Sequence, residues 1–543
     1  MKNKTVLISV LAVALVAIIV GIVAIAMHLT SAPRDESSDD DSSQSIQDGT
    51  YSPPAETPAT WSDFDVKTAW DNSATLITCN GKEVEIKGGG VKQTGDVLMI
   101  HEEGTYVLSG KLDGQIDVIA YKEEKVHLIL NGFEITCEKK SPILCERADK
   151  LVITLADGTK NTVTDTGSGY IEGMTPSEGR FAGAIHSKVA LTINGGGSLQ
   201  VKTTYRHGIV SNSNLRIVSG TISVQSVDEG LKGKETLSIR GGTISVESVG
   251  DGLKVSDNAE EGTGFLAMEG GDITVKTDAD GLDVISYIRI VGGTLKVESK
   301  DHAMTTEGSV SIGGKAQIVL DAYSGSEGSD AKGIKAEGEV TVENGNLQIL
   351  RSYEGIESKT SSVIFAGGNT SIQATNDGVN ANTLIEVKGG SLFINAIGDG
   401  MDGGDIVISG GSTVIQGSVY NDCAPMDTPS ELEIRVTGGF LLAYGSAGAV
   451  QYPSSNSTQA VVGAEVMLDE GKSYSLRDGD GNVICSFRAL GNAQTLCISS
   501  DLLKKDTTYT LYADVAASGV HVHGVYKNPE TSGGESVLTV KAN

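Results

Sequence analysis

One frame recurs along this chain and restricts its fold more than any other feature: an apolar alternation, a glycine pair, then a second apolar alternation. It reads Gly196-Gly197-Ser198-Leu199-Gln200-Val201, then Ser219-Gly220-Thr221-Ile222-Ser223-Val224. It returns as Gly241-Gly242-Thr243-Ile244-Ser245-Val246 and Gly270-Gly271-Asp272-Ile273-Thr274-Val275, with later copies from Gly292, Gly313, Asn344, Gly367, Gly389, Gly410 and Gly438. The copies advance by about 22 residues, with a few longer steps that read as insertions. Roughly ten residues after the glycines comes a second motif: Asp251-Gly252-Leu253-Lys254, Asp280-Gly281-Leu282-Asp283, Asp377-Gly378-Val379-Asn380 and Asp399-Gly400-Met401-Asp402.

Each period therefore holds about three short strands separated by glycine turns. Period-two alternation puts one face of each strand inward and one outward. A propeller blade needs some 40 residues, and the Leu/Asn signature of a leucine-rich repeat is missing. The reading is an all-β chain: a right-handed parallel β-helix of about eleven coils over 63–459. Residues 460–543 break the period and read as a C-terminal β cap, because a stacked solenoid must hide its open end. Composition agrees. There are 69 glycines and only 5% aromatic residues, which suits tight turns and β-branched strands better than a globule built on aromatic anchors.

The N-terminus sets the expected compartment. Lys2 and Lys4 precede an apolar run from Val6 to Met27, long enough to cross a hydrocarbon core of roughly 30 Å. The lysines place the following chain outside the cell. Residues 1–29 read as a single-pass anchor, the alternative being a signal sequence cleaved after Ala26, behind Ala24-Ile25-Ala26. Residues 30–62, with Ser37-Ser38-Asp39-Asp40-Asp41-Ser42-Ser43 and Pro53-Pro54, read as a solvated acidic linker. The formal net charge of −28 argues against nucleic acid and anionic lipid as general partners and favours cations.

In a stacked solenoid, coils lie about 4.8 Å apart and equivalent residues form columns. Aligned on the Asp-Gly motif, one column reads Glu229, Asp251, Asp280, Asp301, Lys332, Glu354, Asp377, Asp399. The column three residues later includes Lys232, Lys254, Asp283, Met304, Lys335, Glu357, Asn380 and Asp402. A lone Asp-Gly is an ordinary turn. Clustered carboxylates repel, at roughly a kcal/mol per pair in water, unless a cation lies between them. Hard oxygen donors at such spacing suit Ca²⁺, and no His/Cys set argues for zinc. The metal candidates are Asp251, Asp280, Asp283, Asp301, Asp377, Asp399 and Asp402. Tyr205, Tyr287, Tyr323, Tyr353 and Tyr420 are candidate sugar-stacking side chains, packing being the plainer role.

The alternating glycine frame and the DGLK, DGLD and DGMD turns resemble a family of bacterial surface proteins with a carbohydrate-binding domain, whose type member comes from a cellulose-degrading clostridium. The resemblance covers roughly residues 70–520. It implies a right-handed parallel β-helix with bound calcium, binding of cellulose and acidic pectic polymers, and similarity to calcium-dependent polysaccharide lyases. It extends metal binding to the same seven aspartates, which hold the DGx[DK] positions. Three functions are expected from this: calcium-dependent polysaccharide binding at the cell surface, a pectate-lyase-like β-elimination, or a structural surface stalk. The elimination would need a base beside the metal. Lys254 is the best-placed residue for that role, although an ion pair with the adjacent acids explains a lysine there equally well.

Overall fold

The computed structural model describes residues 60–138, 140–167, 183–323, 330–420, 422–527 and 529–543. The apolar run Val6–Met27 and most of the acidic linker lie outside the described residues. Among the described residues no helix is long and apolar enough to cross a membrane.

The described chain is all-β, dominated by one long sheet of mostly parallel pairings. Its logic is visible in three ladders. On one face Ile222, Ile244, Ile273, Leu295, Ile318 and Leu347 pair in succession. On a second, Leu231, Leu253, Leu282, Met304, Ile334, Ile356, Val379 and Met401 do the same. On the third, the ladder is Leu237, Leu266, Ile288, Val310, Val340, Val363 and Ile385. Through the middle of the stack each strand pairs with the strand three further along, and with the strand two further along where one long strand such as Val379–Val387 serves two faces, so the chain returns to the same face once per repeat. All these side chains are buried in one continuous aliphatic core. Branched residues suit such a core because each stacks on its counterpart above and below.

Two glycine positions have different causes. The second glycine of a pair such as Gly241-Gly242 or Gly270-Gly271 lies in the left-handed region, with φ of +101° at Gly242 and +96° at Gly271, which a side chain disfavours. The glycine of the Asp-Gly motif is demanded by crowding. A Cβ on Gly252 would lie 2.1 Å from Val275 Cγ1 and 2.7 Å from the Gly281 carbonyl oxygen. At Gly313 the expected frame slips by two residues. There Ala316, not Gly314, precedes the strand that pairs with Thr294–Ser299.

Antiparallel pairings close both ends. Thr75–Gly81 pairs with Glu83–Lys87, and Val91–Thr94 with Val97–Ile100. At the other end, Ala493–Ser499 runs antiparallel to Phe440–Gly445 and to Val461–Leu468. A separate six-stranded sheet packs a second core that includes Tyr444, Tyr474, Phe487 and Tyr509.

Before the first strand, a segment with the short helix Asp63–Val66 lies along the outside of the early repeats. Ser62 and Asp65 form a reciprocal capping box. The buried Asp65 carboxylate pairs with Lys150 at 2.6 Å and accepts from the Thr192 hydroxyl. Asn194 Nδ2 donates to the Asp65 and Lys67 carbonyls at 2.8 and 2.9 Å. Trp61 Nε1 reaches Glu269 at 3.2 Å.

Candidate metal centre

The backbone register fixes the acidic column. Gly208 N donates to the Glu229 carbonyl, Gly230 N to Asp251, Gly252 N to Asp280, Gly281 N to His302, Ala303 N to Lys332, Gly333 N to Glu354, Gly355 N to Asp377 and Gly378 N to Asp399. The column is therefore His207, Glu229, Asp251, Asp280, His302, Lys332, Glu354, Asp377, Asp399. This corrects one expected member. Asp301 lies one residue before the column, and His302 stands in it. The neighbouring column is corrected likewise, since Asp283 pairs with Thr305 and not with Met304.

Column side chains have a structural duty. Asp280 N donates to Asp251 Oδ1 at 3.2 Å, His302 N to Asp280 Oδ1 at 2.9 Å, and Lys332 N to His302 Nδ1 at 3.1 Å. Asp399 N donates to Asp377 Oδ1 at 2.7 Å, and Ala424 N to Asp399 Oδ1 at 2.5 Å. Each side chain thus caps an N–H of the next repeat, which a buried turn must satisfy. A carboxylate uses one oxygen this way and keeps the other.

Around Asp280 the carboxylates converge. Asp251, Asp280 and Asp283 each offer an oxygen within 4.8 Å of the others, and Asp280, Asp301 and His302 form a second such group. Burial first, then the charges of Asp251, Asp301 and Asp283, push the Asp280 carboxyl up to about 8. Both nitrogens of His302 are engaged, Nδ1 by the Lys332 N–H and Nε2 with Lys335 Nζ 2.9 Å away. The donors left around Asp280 are carboxylate oxygens, a set that fits Ca²⁺ in chemistry.

Lys254 sits within this cluster, its Nζ 2.9 Å from Asp251 Oδ2 and 3.0 Å from Asp283 Oδ2. Although burial opposes it, the charges of Asp283 and Asp251 raise its pKa well above the usual lysine range. A base must release its proton near working pH, and here the ammonium is held. The geometry therefore speaks against Lys254 as the base of an elimination and for the ion-pair role.

Asp377, Asp399 and Asp402 are neighbours along the stack, yet they form no comparable three-ligand group among the described residues. They still press on one another. Burial and then the charges of Asp402 and Glu354 push Asp377 up to about 6, and burial with Asp377, Asp402 and Asp427 pushes Asp399 up to about 7. Asp402 accepts from Asn380 Nδ2 at 3.2 Å.

The tyrosines divide. Tyr287 is buried against Phe265 and Ala267, so its ring is not offered to a ligand. Tyr323, Tyr353 and Tyr420 are exposed, and Tyr205 is half-buried. The Arg351 guanidinium lies 4.5 Å over the Tyr323 ring and is itself held by Asp321 through two hydrogen bonds.

Comparison with known proteins agrees with the repeat. The model of the carbohydrate-binding domain-containing protein family matches residues 94–371. A carbohydrate-binding domain-containing protein of Acetivibrio thermocellus is 33% identical over 278 residues, 51% of this chain and 86% of that protein. The solved structure of a polysaccharide lyase-like protein from C. thermocellum, a gadolinium derivative, is 29% identical and covers 48% of this chain and 99% of its own, with a TM-score of 0.42. From the family match and the Acetivibrio relative, the chain belongs to the carbohydrate-binding domain-containing protein family.

Proposed function

We propose that this protein is a calcium-dependent polysaccharide-binding protein displayed outside the cell, its stack a right-handed parallel β-helix of about eleven coils. Family membership supports carbohydrate as the partner. The observation that carries the calcium reading is the Asp280 cluster: half-buried carboxylates converging on one another, with Asp280 held up at about 8. Asp251, Asp280, Asp283 and Asp301 would hold the ion. When bound, it neutralises these acids and offers open coordination to the oxygens of an acidic or neutral glycan. Asp377, Asp399 and Asp402 are the proposed second, looser cation site. Exposed Tyr353 and Tyr420 would supply apolar faces for sugar rings. Residues 1–29 would tether the domain to the membrane, or be removed to release it.

The test is co-sedimentation of the full chain with cellulose and with polygalacturonate, in Ca²⁺ and in EDTA, while unsaturated uronate is followed by its absorbance. Calcium-dependent retention without product supports the proposal. Product formation would establish a lyase in its place. No retention on any polysaccharide in Ca²⁺ would leave the structural stalk.

A further inference from the structure

The column holds a second kind of site beside the all-oxygen cluster. His207 and Glu229 occupy the same column position in neighbouring repeats, joined by the Gly208 N–H to the Glu229 carbonyl at 2.9 Å. Asp228 directly precedes Glu229. Gly208 and Gly230 follow the column residues with no room for a side chain, since a Cβ on Gly208 would lie 2.2 Å from Val224 Cγ1 and 2.6 Å from the Gly230 carbonyl. The packing that locks the two strands together therefore fixes where the imidazole and the carboxylate stand.

Their polar atoms converge. His207 Nδ1 lies 3.4 Å from Asp228 Oδ2 and in direct contact with Glu229 Oε2. His207, Asp228 and Glu229 each offer a ligand atom within 4.8 Å of the others. His207 is 5% exposed and Glu229 7%. Nδ1 and Oε2 are both shut off from solvent, and each has the other as its close partner. Lys232 and Lys254 both approach Glu229 through its other oxygen, Oε1, at 3.7 and 3.8 Å, so they leave the space around Oε2 and Nδ1 to the cluster. The Asp228 side chain is 40% exposed and gives that space a mouth.

We infer that His207, Asp228 and Glu229 form a binding site for a first-row divalent transition metal ion of the zinc class, separate from the Asp280 calcium cluster. The donor chemistry makes the distinction. The Asp280 cluster offers only carboxylate oxygens, because both nitrogens of His302 are engaged. The His207 site offers one imidazole nitrogen and two carboxylates, a set in which nitrogen favours Zn²⁺, Co²⁺ or Ni²⁺ over Ca²⁺. Three protein ligands with a solvent-facing mouth leave one position for water or an incoming oxygen.

The test is equilibrium dialysis of the full chain against Zn²⁺ in saturating Ca²⁺, which fills the all-oxygen site, followed by visible spectroscopy of the Co²⁺-loaded protein. One Ca²⁺-resistant Zn²⁺ per chain and Co²⁺ ligand-field bands are expected. Affinity should fall by more than about a hundredfold in His207→Gln and in Asp228→Asn, because losing a direct ligand costs more than the 10–100-fold of an outer-shell partner. Asp228→Asn is the variant that guards against misfolding, since that side chain lies at the surface. Asp280→Asn and His302→Gln should bind Zn²⁺ as the parent does. Absence of Ca²⁺-resistant Zn²⁺ overturns the assignment, leaving a plain His207–Glu229 ion pair. Loss that follows Asp280→Asn or His302→Gln overturns it too, by moving the ion to the neighbouring cluster.

Discussion

Replacing Asp280 by Asn should stabilise the metal-free protein and remove its response to calcium. Burial and three neighbouring carboxylates raise the Asp280 pKa from 3.8 to about 8. A carboxyl whose pKa is higher folded than unfolded binds its proton more tightly in the folded state. Stability is therefore lost as pH rises above the unfolded value, and the loss is complete above the folded one. Between 3.8 and about 8 the full difference amounts to roughly 6 kcal/mol. Asp280 is partly solvated and its neighbours relax when it is neutralised, so about 2–3 kcal/mol is expected in practice. Asn keeps the oxygen that accepts from His302 N and discards only the charge. The assay is urea unfolding of the full chain near pH 9, in EDTA and in Ca²⁺; guanidinium would screen the effect under study. In EDTA, Asp280→Asn should be the more stable protein. In Ca²⁺ at a hundred times its Kd, the parent should gain about 2.7 kcal/mol and the variant almost nothing. Equal midpoints in EDTA would refute the claim that these carboxylates strain one another. An equal calcium shift in both proteins would refute the site.

Three further outcomes follow from the same contacts. Lys254→Met strips the ammonium from between Asp251 and Asp283, so the metal-free protein should lose about 3 kcal/mol while calcium affinity, read by titration calorimetry, rises. Asp65→Asn should cost about 2–3 kcal/mol, because the Lys150, Ser62 and Thr192 contacts outweigh burial and hold that carboxyl at about 2; the parent should lose this stability as pH falls from about 4 to about 2, and the variant's acid limb should lack that step in circular dichroism. Gly252→Ala should destabilise by more than 1–3 kcal/mol, since its Cβ would meet Val275 Cγ1 at 2.1 Å, whereas a glycine needed only for a turn would tolerate alanine with a smaller shift in unfolding midpoint.

The fold was largely legible in the sequence because its core is a repeated local pattern. The Leu231, Leu253, Leu282 ladder can be traced by eye, since each copy follows the same glycine spacing. Register failed where the spelling changed. Asp301-His302-Ala303-Met304 looks like an Asp-Gly turn with histidine in place of glycine, yet Ala303 takes the glycine position and His302 the aspartate one. Nothing local reveals this, because only the inter-repeat N–H to carbonyl bonds fix which residue stacks on Asp280. Histidine fits there because Nδ1 accepts the Lys332 N–H as a carboxylate would. His207 escaped for the same reason: His207-Gly208-Ile209 is an Asp-Gly-Leu turn with imidazole as the acceptor. Tyr287 was misleading because strand alternation places it outward, and only the packing of Phe265 beside it shows that the outer face is covered there.

Lysines decide how much of the column's negative charge is left unbalanced. A solenoid that caps each turn with a side-chain acceptor accumulates stacked carboxylates, and the charge must be balanced within about one repeat because the column is partly desolvated. Lys332 does this for Glu354 and Glu357, at 3.0 and 2.6 Å, and Lys254 for Asp251 and Asp283. Among the described residues no lysine or arginine forms an ion pair with the carboxyls of Asp280, Asp377 or Asp399, and these three are pushed up to between about 6 and about 8. Glu354 and Glu357, which Lys332 balances, need nothing further, whereas Asp251 and Asp283 share Lys254, the Asp251 carboxyl stays raised, and both remain within reach of Asp280. An acid without a lysine carries a standing cost that a bound proton or an outside cation relieves. The positions where the chain omits the lysine are thus the positions where the same capping acids are free to act as ligands.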